Sequence, residues 1–438
     1  MAETITNGQS AALGKSVVLP PVGNCWVNTA FPAATSPANQ NYVSASKTKR
    51  LLLYSAGLAV LAATIVLIGA IAWRDPVTKD ETQVSAIRRA LVSAKSSYAI
   101  GTPTFDATRK GMPLVKLFFP GGGDIHDADN ALKQLAEMKA LGELEELSIY
   151  EPSRALIETM TDEGMSALKE AKKLRTLELS GTRITGAGLV HLKKLTNLET
   201  LVLSSTWVSD VGLAQLTTLT QLKKLDLSDT PITDAGLVNL KGMTQLKYLR
   251  LSDTPITDAG LVNLNGMTQL TYLSLSRNFG GFGPRKSPGP HSKSPGPHIS
   301  GRAFSTLSGL AGLEHLHLFG QDKIDVADII GFTQLRTLGM SEIIELDDER
   351  LALISKLKNL EELHGFGWRS VSGAGIARLC GLKEMRELDL TMCPNLTDND
   401  LSNLKNLSKL RSLHLPHTTS AAGRDNLRLA LPNTKIRP

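Results

Sequence analysis

Three cysteines are too few for a disulfide framework in a chain of 438 residues. Aromatic side chains are also sparse, with ten Phe, six Tyr and four Trp, so any surface that gathers several of them carries information. A strong excess of either sign of charge is missing from the body of the chain. The formal net charge is +6, but residues 1–50 hold Lys15, Lys47, Lys49 and Arg50 against Glu3 alone, and 277–302 holds Arg277, Arg285, Lys286, Lys293 and Arg302 without an acid. The remainder is nearly neutral, so a pI near 9.1 is no evidence for a nucleic-acid-binding face.

Catalytic signatures are lacking too. Gly121-Gly122-Gly123 follows the strand-like LVKLFF but has neither the G-x-G-x-x-G pattern nor the Lys-Ser/Thr of a phosphate loop. No serine stands in a nucleophile elbow with a recognisable His and acid. His126 lies beside Asp127, yet Asp127 or Asp129 is expected as a helix cap. Glu342, Glu345, Asp347, Asp348 and Glu349 read as a solvated face. The expectation is a protein that is not an enzyme, with no cofactor and no metal.

Hydrophobic residues, in contrast, make up 42% of the chain, enough for a sizeable core. From Leu51 to Trp73 run 23 residues without a charge. As a helix rising about 1.5 Å per residue they reach about 34 Å, enough to span a bilayer. Lys47, Lys49 and Arg50 form a basic collar before the run, while Tyr54 and Trp73 suit the interfaces. Residues 47–75 are therefore expected as a single-pass signal anchor. Cleavage after Ala70-Ile71-Ala72 is the alternative, opposed by the 50 residues that precede the run. The positive-inside rule leans toward an internal N-terminus, which would put the C-terminal domain on the outer side, although Arg88 and Arg89 weigh against it. Residues 1–46, with Pro20, Pro21, Pro32 and Pro37 among small polar residues, read as a disordered tail.

Self-similarity dominates the rest of the chain. LKKLDLSDTPITDAGLVNLKGMTQ from Leu222 is almost repeated as LKYLRLSDTPITDAGLVNLNGMTQ from Leu246. The frame LxxLxL starts at Leu174, Leu198, Leu222, Leu246 and Leu270, a period of 24. It continues less regularly at Leu114 and Leu144 before that block, and at Leu313, Leu335, Leu360, Met385 and Leu410 after it, which proposes twelve rungs. Leu225 and Leu227 alternate with polar residues, as a strand with one buried face requires. Leu237 and Leu240, three apart behind the capping residues Thr233 and Asp234, suit a short helix. Neither face can be buried within one rung, so rungs must stack and merge their leucines into a continuous core. Thr182, Thr206, Thr230, Thr254, Cys393 and Thr418 follow the last frame leucine by three residues and are expected to turn inward and bond the backbone of an adjacent rung. That disposes of Cys393 as a nucleophile.

On these residues, 174–275 resembles the leucine-rich-repeat family, particularly the TDAGL-type repeats shared with the cysteine-containing repeats of F-box adaptors and abundant in bacterial, planctomycete-like exported proteins. The resemblance implies an α/β solenoid, a curved horseshoe with a parallel sheet on its concave face, used for binding protein. No F-box-like helical segment precedes the repeats. The repeat domain is expected over 114–438. A linker and N-terminal cap helix fill 76–113, with Val84, Ile87 and Leu91 at helical spacing, and a C-terminal cap over 416–438 places Leu427, Leu429, Leu431 and Ile436 over the last rung. Gly365 replaces a frame leucine. The segment 277–302, which contains KSPGPH twice, is expected as a disordered insertion, read either as a tolerated surface loop or as an arm for an anionic partner.

Strand alternation nominates the exposed face. Consecutive rungs present Tyr248, Arg250, Tyr272, His315, His317 and Phe319 side by side, and aromatics with Arg are the usual anchors of protein interfaces. These six are the candidate partner-binding residues. His364 lies two rungs beyond His315, at about 10 Å from the strand spacing, too far for one zinc ion. The expected function is a membrane-anchored repeat protein that binds a protein partner through its strand face, attached to the lipid bilayer through 51–73, with no role for nucleic acid. The alternatives are a cytosol-facing adaptor that recruits a cellular enzyme, and a hydrolase using His and acid residues on the sheet.

Overall fold

The computed structural model describes residues 81–93, 102–105, 114–120, 127–150, 160–277 and 299–437, except 308, 322, 325, 341–345 and 366. The expected tail, the apolar run 51–73, His126 and most of the insertion lie outside the described residues. Among the described residues no helix is long and apolar enough to cross a membrane.

Among these residues fourteen strands form one sheet whose spatial order is the chain order. They are β1 (Thr102–Phe105), β2 (Leu114–Pro120), β3 (Glu146–Tyr150), β4 (Thr176–Glu178), β5 (Thr200–Val202), β6 (Lys224–Asp226), β7 (Tyr248–Arg250), β8 (Tyr272–Ser274), β9 (His315–His317), β10 (Thr337–Gly339), β11 (Glu362–His364), β12 (Glu387–Asp389), β13 (Ser412–His414) and β14 (Lys435–Arg437). Each of the twelve frames contributes one strand, β2 to β13. All neighbours pair in parallel except β1, which runs antiparallel to β2. The central residue of every strand from β4 to β13 is a leucine aligned with the next, and the row ends at Ile436 on β14. Each such leucine is shut off from solvent, contributing about 1.5–3 kcal/mol.

One rung shows how the sequence builds the rest. After β6 the backbone turns through Asp229, whose φ of 54° lies in the left-handed region that Asp tolerates and that Gly181 fills in an earlier rung. Thr230 then points inward. Thr233 caps a single helical turn, Asp234–Leu237, its side chain accepting from the Ala235 amide. A 3-10 turn, Val238–Leu240, brings the chain back toward the sheet. Four helical residues are too few to stand alone, so burial of Leu237 and Leu240 must hold them.

The TDAG motif has a second function that the sequence alone did not disclose. Asp234 accepts two hydrogen bonds from the next rung, from the amide (2.8 Å) and hydroxyl (2.5 Å) of Thr257. Asp210 does the same for Thr233, Asp162 for Thr185, and Asp258 for Ser300. The glycine of the following rung makes room: a Cβ on Gly236 would lie 2.3 Å from the Asp210 carboxylate, and one on Gly260 2.2 Å from that of Asp234. The motif is thus half of a clamp whose other half is one repeat away. Where Gly373 stands in place of the aspartate, Asp400 swings across instead and takes both the amide and hydroxyl of Thr397.

Several expectations are corrected. Thr182, Thr206, Thr230 and Thr254 bond carbonyls of their own rung, three residues back, because the tight turn after the strand brings that oxygen within reach. Cys393 and Thr418 do reach the adjacent rung, at the Gly365 and Leu396 carbonyls. Asp129 is no cap: it lies inside the helix Asp127–Glu137, buried, clamping Thr161. Asp347 and Asp348 are not simply solvated, since the first caps the helix Asp348–Ile354 and the second clamps Ser372. Both ends of 277–302 belong to a rung. The Arg277 amide donates to the Phe319 carbonyl, Ile299 is buried, and Ser300 takes the clamp from Asp258.

Lids close both ends. Val84, Ile87 and Leu91 are buried on the helix Glu81–Ser93, and β1 covers the outer edge of β2. At the far end the helix Ala421–Ala430 packs on the helical turns of the last rung, with Leu427 and Leu431 buried, but Leu429 is 83% exposed because it points away from the helix face that meets that rung.

The clamp makes a testable claim. Gly236→Ala should lower stability by about 1–3 kcal/mol through overpacking against Asp210, and the loss should shrink in an Asp210→Ala background, as a double-mutant cycle in urea would measure. Equal losses in both backgrounds would remove Asp210 as the cause.

Candidate functional site

The strand register puts every second side chain on the face opposite the helices. One row reads Thr200, Lys224, Tyr248, Tyr272, His315, Thr337, Glu362, Glu387; the parallel row reads Val202, Asp226, Arg250, Ser274, His317, Gly339, His364, Asp389. Neighbouring strands lie about 4.8 Å apart, close enough for flat rings to stack. Tyr248 and Tyr272 do so, with centroids 4.0 Å apart and planes within 12°. Tyr272 meets His317 at 5.1 Å and His315 at 6.0 Å, and His317 meets Phe319 at 5.6 Å. Five of the six candidate residues therefore form one continuous aromatic strip. The sixth, Arg250, stands on the same strand face two residues after Tyr248, interacts with both tyrosines and lies 3.5 Å from the Asp226 carboxylate, which is almost wholly buried.

The strip extends further at both ends than the sequence indicated. The Lys224 ammonium sits over the Tyr248 ring at 5.2 Å. At the other end Phe319 reaches His364, centroid to centroid 6.2 Å. Gly339 makes that possible, since a Cβ there would lie 2.5 Å from the Phe319 ring and 2.9 Å from His317 Nδ1. The signal was present in the sequence as a glycine where neighbouring rungs carry side chains, but only the strand register assigns it to this spot.

A polar relay flanks the rings. The Thr337 hydroxyl donates to Glu362 at 3.1 Å, so its oxygen is left to accept from His315 Nδ1 at 2.9 Å. This fixes the tautomer and orientation of His315. The buried hydroxyls of Ser252 and Ser274 bond each other at 2.8 Å. The gap left by Gly365 is filled by Trp368, which is fully buried, its ring placed where a Cβ on Gly365 would be and its Nε1 donating to the Met340 carbonyl at 3.1 Å.

Electrostatics follow from this packing. Burial pushes the Tyr248 hydroxyl well above the usual phenol range, with Tyr272 adding to the effect. Burial also lowers His317 to about 4, with His364, His315 and Arg250 nearby opposing a further positive charge. His317 is thus a neutral ring at physiological pH. Cys393, enclosed beside Trp368, is pushed up to about 12 by burial, and burial also raises Cys380. Neither is a ready nucleophile. Among the described residues no three His, Cys, Asp or Glu side chains gather as a metal site.

The geometry repeats what the leucine spacing implies, and comparison with known families decides the matter: residues 170–192, 194–216 and 220–279 match models of leucine-rich repeats. Residues 170–279 therefore carry leucine-rich repeats. Leucine-rich-repeat domains generally mediate protein–protein interaction and are typically non-enzymatic. Among solved structures the chain is similar to an internalin (inlF) from Listeria monocytogenes, at 21% identity and a TM-score of 0.48, covering 82% of this chain and 88% of that one. It is similar also to internalin C2 from the same organism, at 21% identity and a TM-score of 0.35, covering 67% and 92%. A third is the leucine-rich-repeat protein LIC12759 of Leptospira interrogans, at 18% identity and a TM-score of 0.38, covering 74% and 90%. No curated protein matches the sequence.

The lowered His317 has a consequence for stability. An unfolded histidine titrates near 6.5 and the folded one near 4, so the contribution of this group is complete above pH 6.5 and is lost as pH falls toward 4. Thermal unfolding of His317→Asn should fall less steeply with acidification across that window than the parent; parallel curves would refute the assignment.

Proposed function

We propose that this is a membrane-anchored leucine-rich-repeat protein that captures a protein partner with the strand face of its repeats. One observation carries the reading. In a chain with few aromatics, Tyr248, Tyr272, His315, His317 and Phe319 are gathered into one strip with Arg250 beside it, and Tyr and Arg are typical interface anchors. The anchor is the uncharged run 51–73, long enough for a bilayer. The basic collar Lys47, Lys49 and Arg50 favours an internal N-terminus and an extracytoplasmic repeat domain.

Replacing Tyr248, Tyr272 and His317 together by alanine should reduce in-cell crosslinking to the partner at least tenfold, with the repeats still folded by circular dichroism. Unchanged capture would move the interface elsewhere.

Orientation has its own test, and the structure shows which residue to use. Cys380 is half-buried, and its thiol donates to the Asn403 carbonyl at 3.0 Å, so it would react slowly. Lys241 is exposed. A membrane-impermeant maleimide applied to intact cells should label Lys241→Cys and spare Cys25. Labelling of Cys25 alone would favour the cytosol-facing adaptor.

A further inference from the structure

The way the aromatic strip is assembled says what it can recognise. Tyr248 and Tyr272 spend their facing π-surfaces on each other, 4.0 Å apart. Because the rings stand on neighbouring strands, a partner approaching the sheet meets ring edges and hydroxyls. Ring edges carry the positive part of the aromatic quadrupole. The Lys224 ammonium lies over the outer side of the same stack, and 41% of the Arg250 side chain remains exposed despite its pairing with Asp226. This end of the strip, on β6 and β7, is built to meet negative charge.

The opposite end has the reverse character. Glu362 and Glu387 stand directly opposite each other on β11 and β12, with Asp389 in the parallel row. Like charges facing one another across neighbouring strands cost stability, a cost that a cation laid between them removes. Between the two ends, β8 to β10 present Tyr272, Ser274, His315, His317, Thr337 and Gly339, with no Asp, Glu, Lys or Arg. His317 is held neutral by its surroundings. Between β6 and β12 this face therefore runs from a basic end to an acidic end, with an uncharged middle.

From β6 to β12 there are six strand-to-strand steps, about 29 Å at about 4.8 Å each. An extended peptide rises about 3.3 Å per residue, so about nine residues cover that distance. We propose that the strand face takes an extended peptide segment of about nine residues laid across the strands, its acidic end over Lys224 and Arg250 and its basic end over Glu362, Glu387 and Asp389. The proposal rests on the protein-binding reading above and adds the chemistry of the partner. Charge complementarity of this kind sets orientation and rejects segments whose ends carry the same sign.

The test uses the full chain in detergent micelles and two fluorescent nonapeptides, acetylated and amidated, of identical composition. One has two aspartates at one end and two arginines at the other, separated by serine, threonine and tyrosine; the other has the same charges interleaved. Fluorescence anisotropy should show the segregated peptide binding at least fivefold more tightly. Lys224→Glu and Glu387→Lys should each erase that preference, and Glu387→Lys should gain affinity for a peptide acidic at both ends. Both exchanges fall on solvent-facing positions, and a circular dichroism spectrum like that of the parent checks that each variant is folded. Equal binding of the two peptides, or a preference untouched by either substitution, overturns the dipolar assignment. If it is overturned while the triple alanine variant still loses its crosslinked partner, the protein-binding reading stands and only the partner chemistry falls; if both tests fail, the strand face is not the interface.

Discussion

The alignment of one leucine per strand, from Leu177 on β4 through Leu413 on β13, is the constraint on which the rest depends. The backbone ladder between parallel strands could in principle slip by a residue. A slip would turn that row of leucines to water and bring charged neighbours such as Lys224 and Asp226 into the core. The penalty multiplies with each strand, so the register is fixed by the whole stack and not by any single turn. Once it is fixed, the side chains on the open face have no freedom of placement either, and Tyr248, Tyr272 and His315 must stand next to each other.

Parallel strands need long return connections, and from β4 to β8 each return is a short helical turn and a 3-10 turn held by burial, with the aspartate clamp added where Asp210 and Asp234 stand. The clamp ties the outer layer across rungs as the sheet ties the inner one. It uses a charged group that is satisfied by an amide and a hydroxyl at once, which favours a fixed geometry. The glycine beneath it does not serve a turn. It is there because Asp210 or Asp234 occupies the position that its Cβ would need.

Much of this was legible in the sequence, and the limits have physical causes. The period of 24 gave the strands, their alternation gave the outward row, and the capping residues gave the starts of the helical turns. The six candidate residues come together because register follows from period. What could not be read were contacts between residues one repeat apart that share no local pattern. The TDAG motif looks complete within one rung, as a cap, so its bond to Thr257 or Thr233 is invisible until rungs are stacked. Lys224 and His364 were not assigned to the aromatic strip for a similar reason: cation–π contact and the passage of Phe319 over Gly339 depend on side-chain reach, not on spacing. The irregular stretches misled in the opposite way. The Pro- and Gly-rich composition of 277–302 concealed that Arg277 and Ile299 keep their places in a rung.

The clamp also has a direction. The rungs of Thr233 and Thr257 each offer a carboxylate forward and an amide, a hydroxyl and a glycine backward, so the units starting at Leu222 and Leu246 are interchangeable in this respect. A copy of such a unit spliced between two others would find every donor and acceptor already waiting. Lengthening by recombination is therefore nearly free of structural penalty in the middle of the array and is resisted only where β1 and β14 seal it, so that the number of repeats is open to drift while the two termini are held constant.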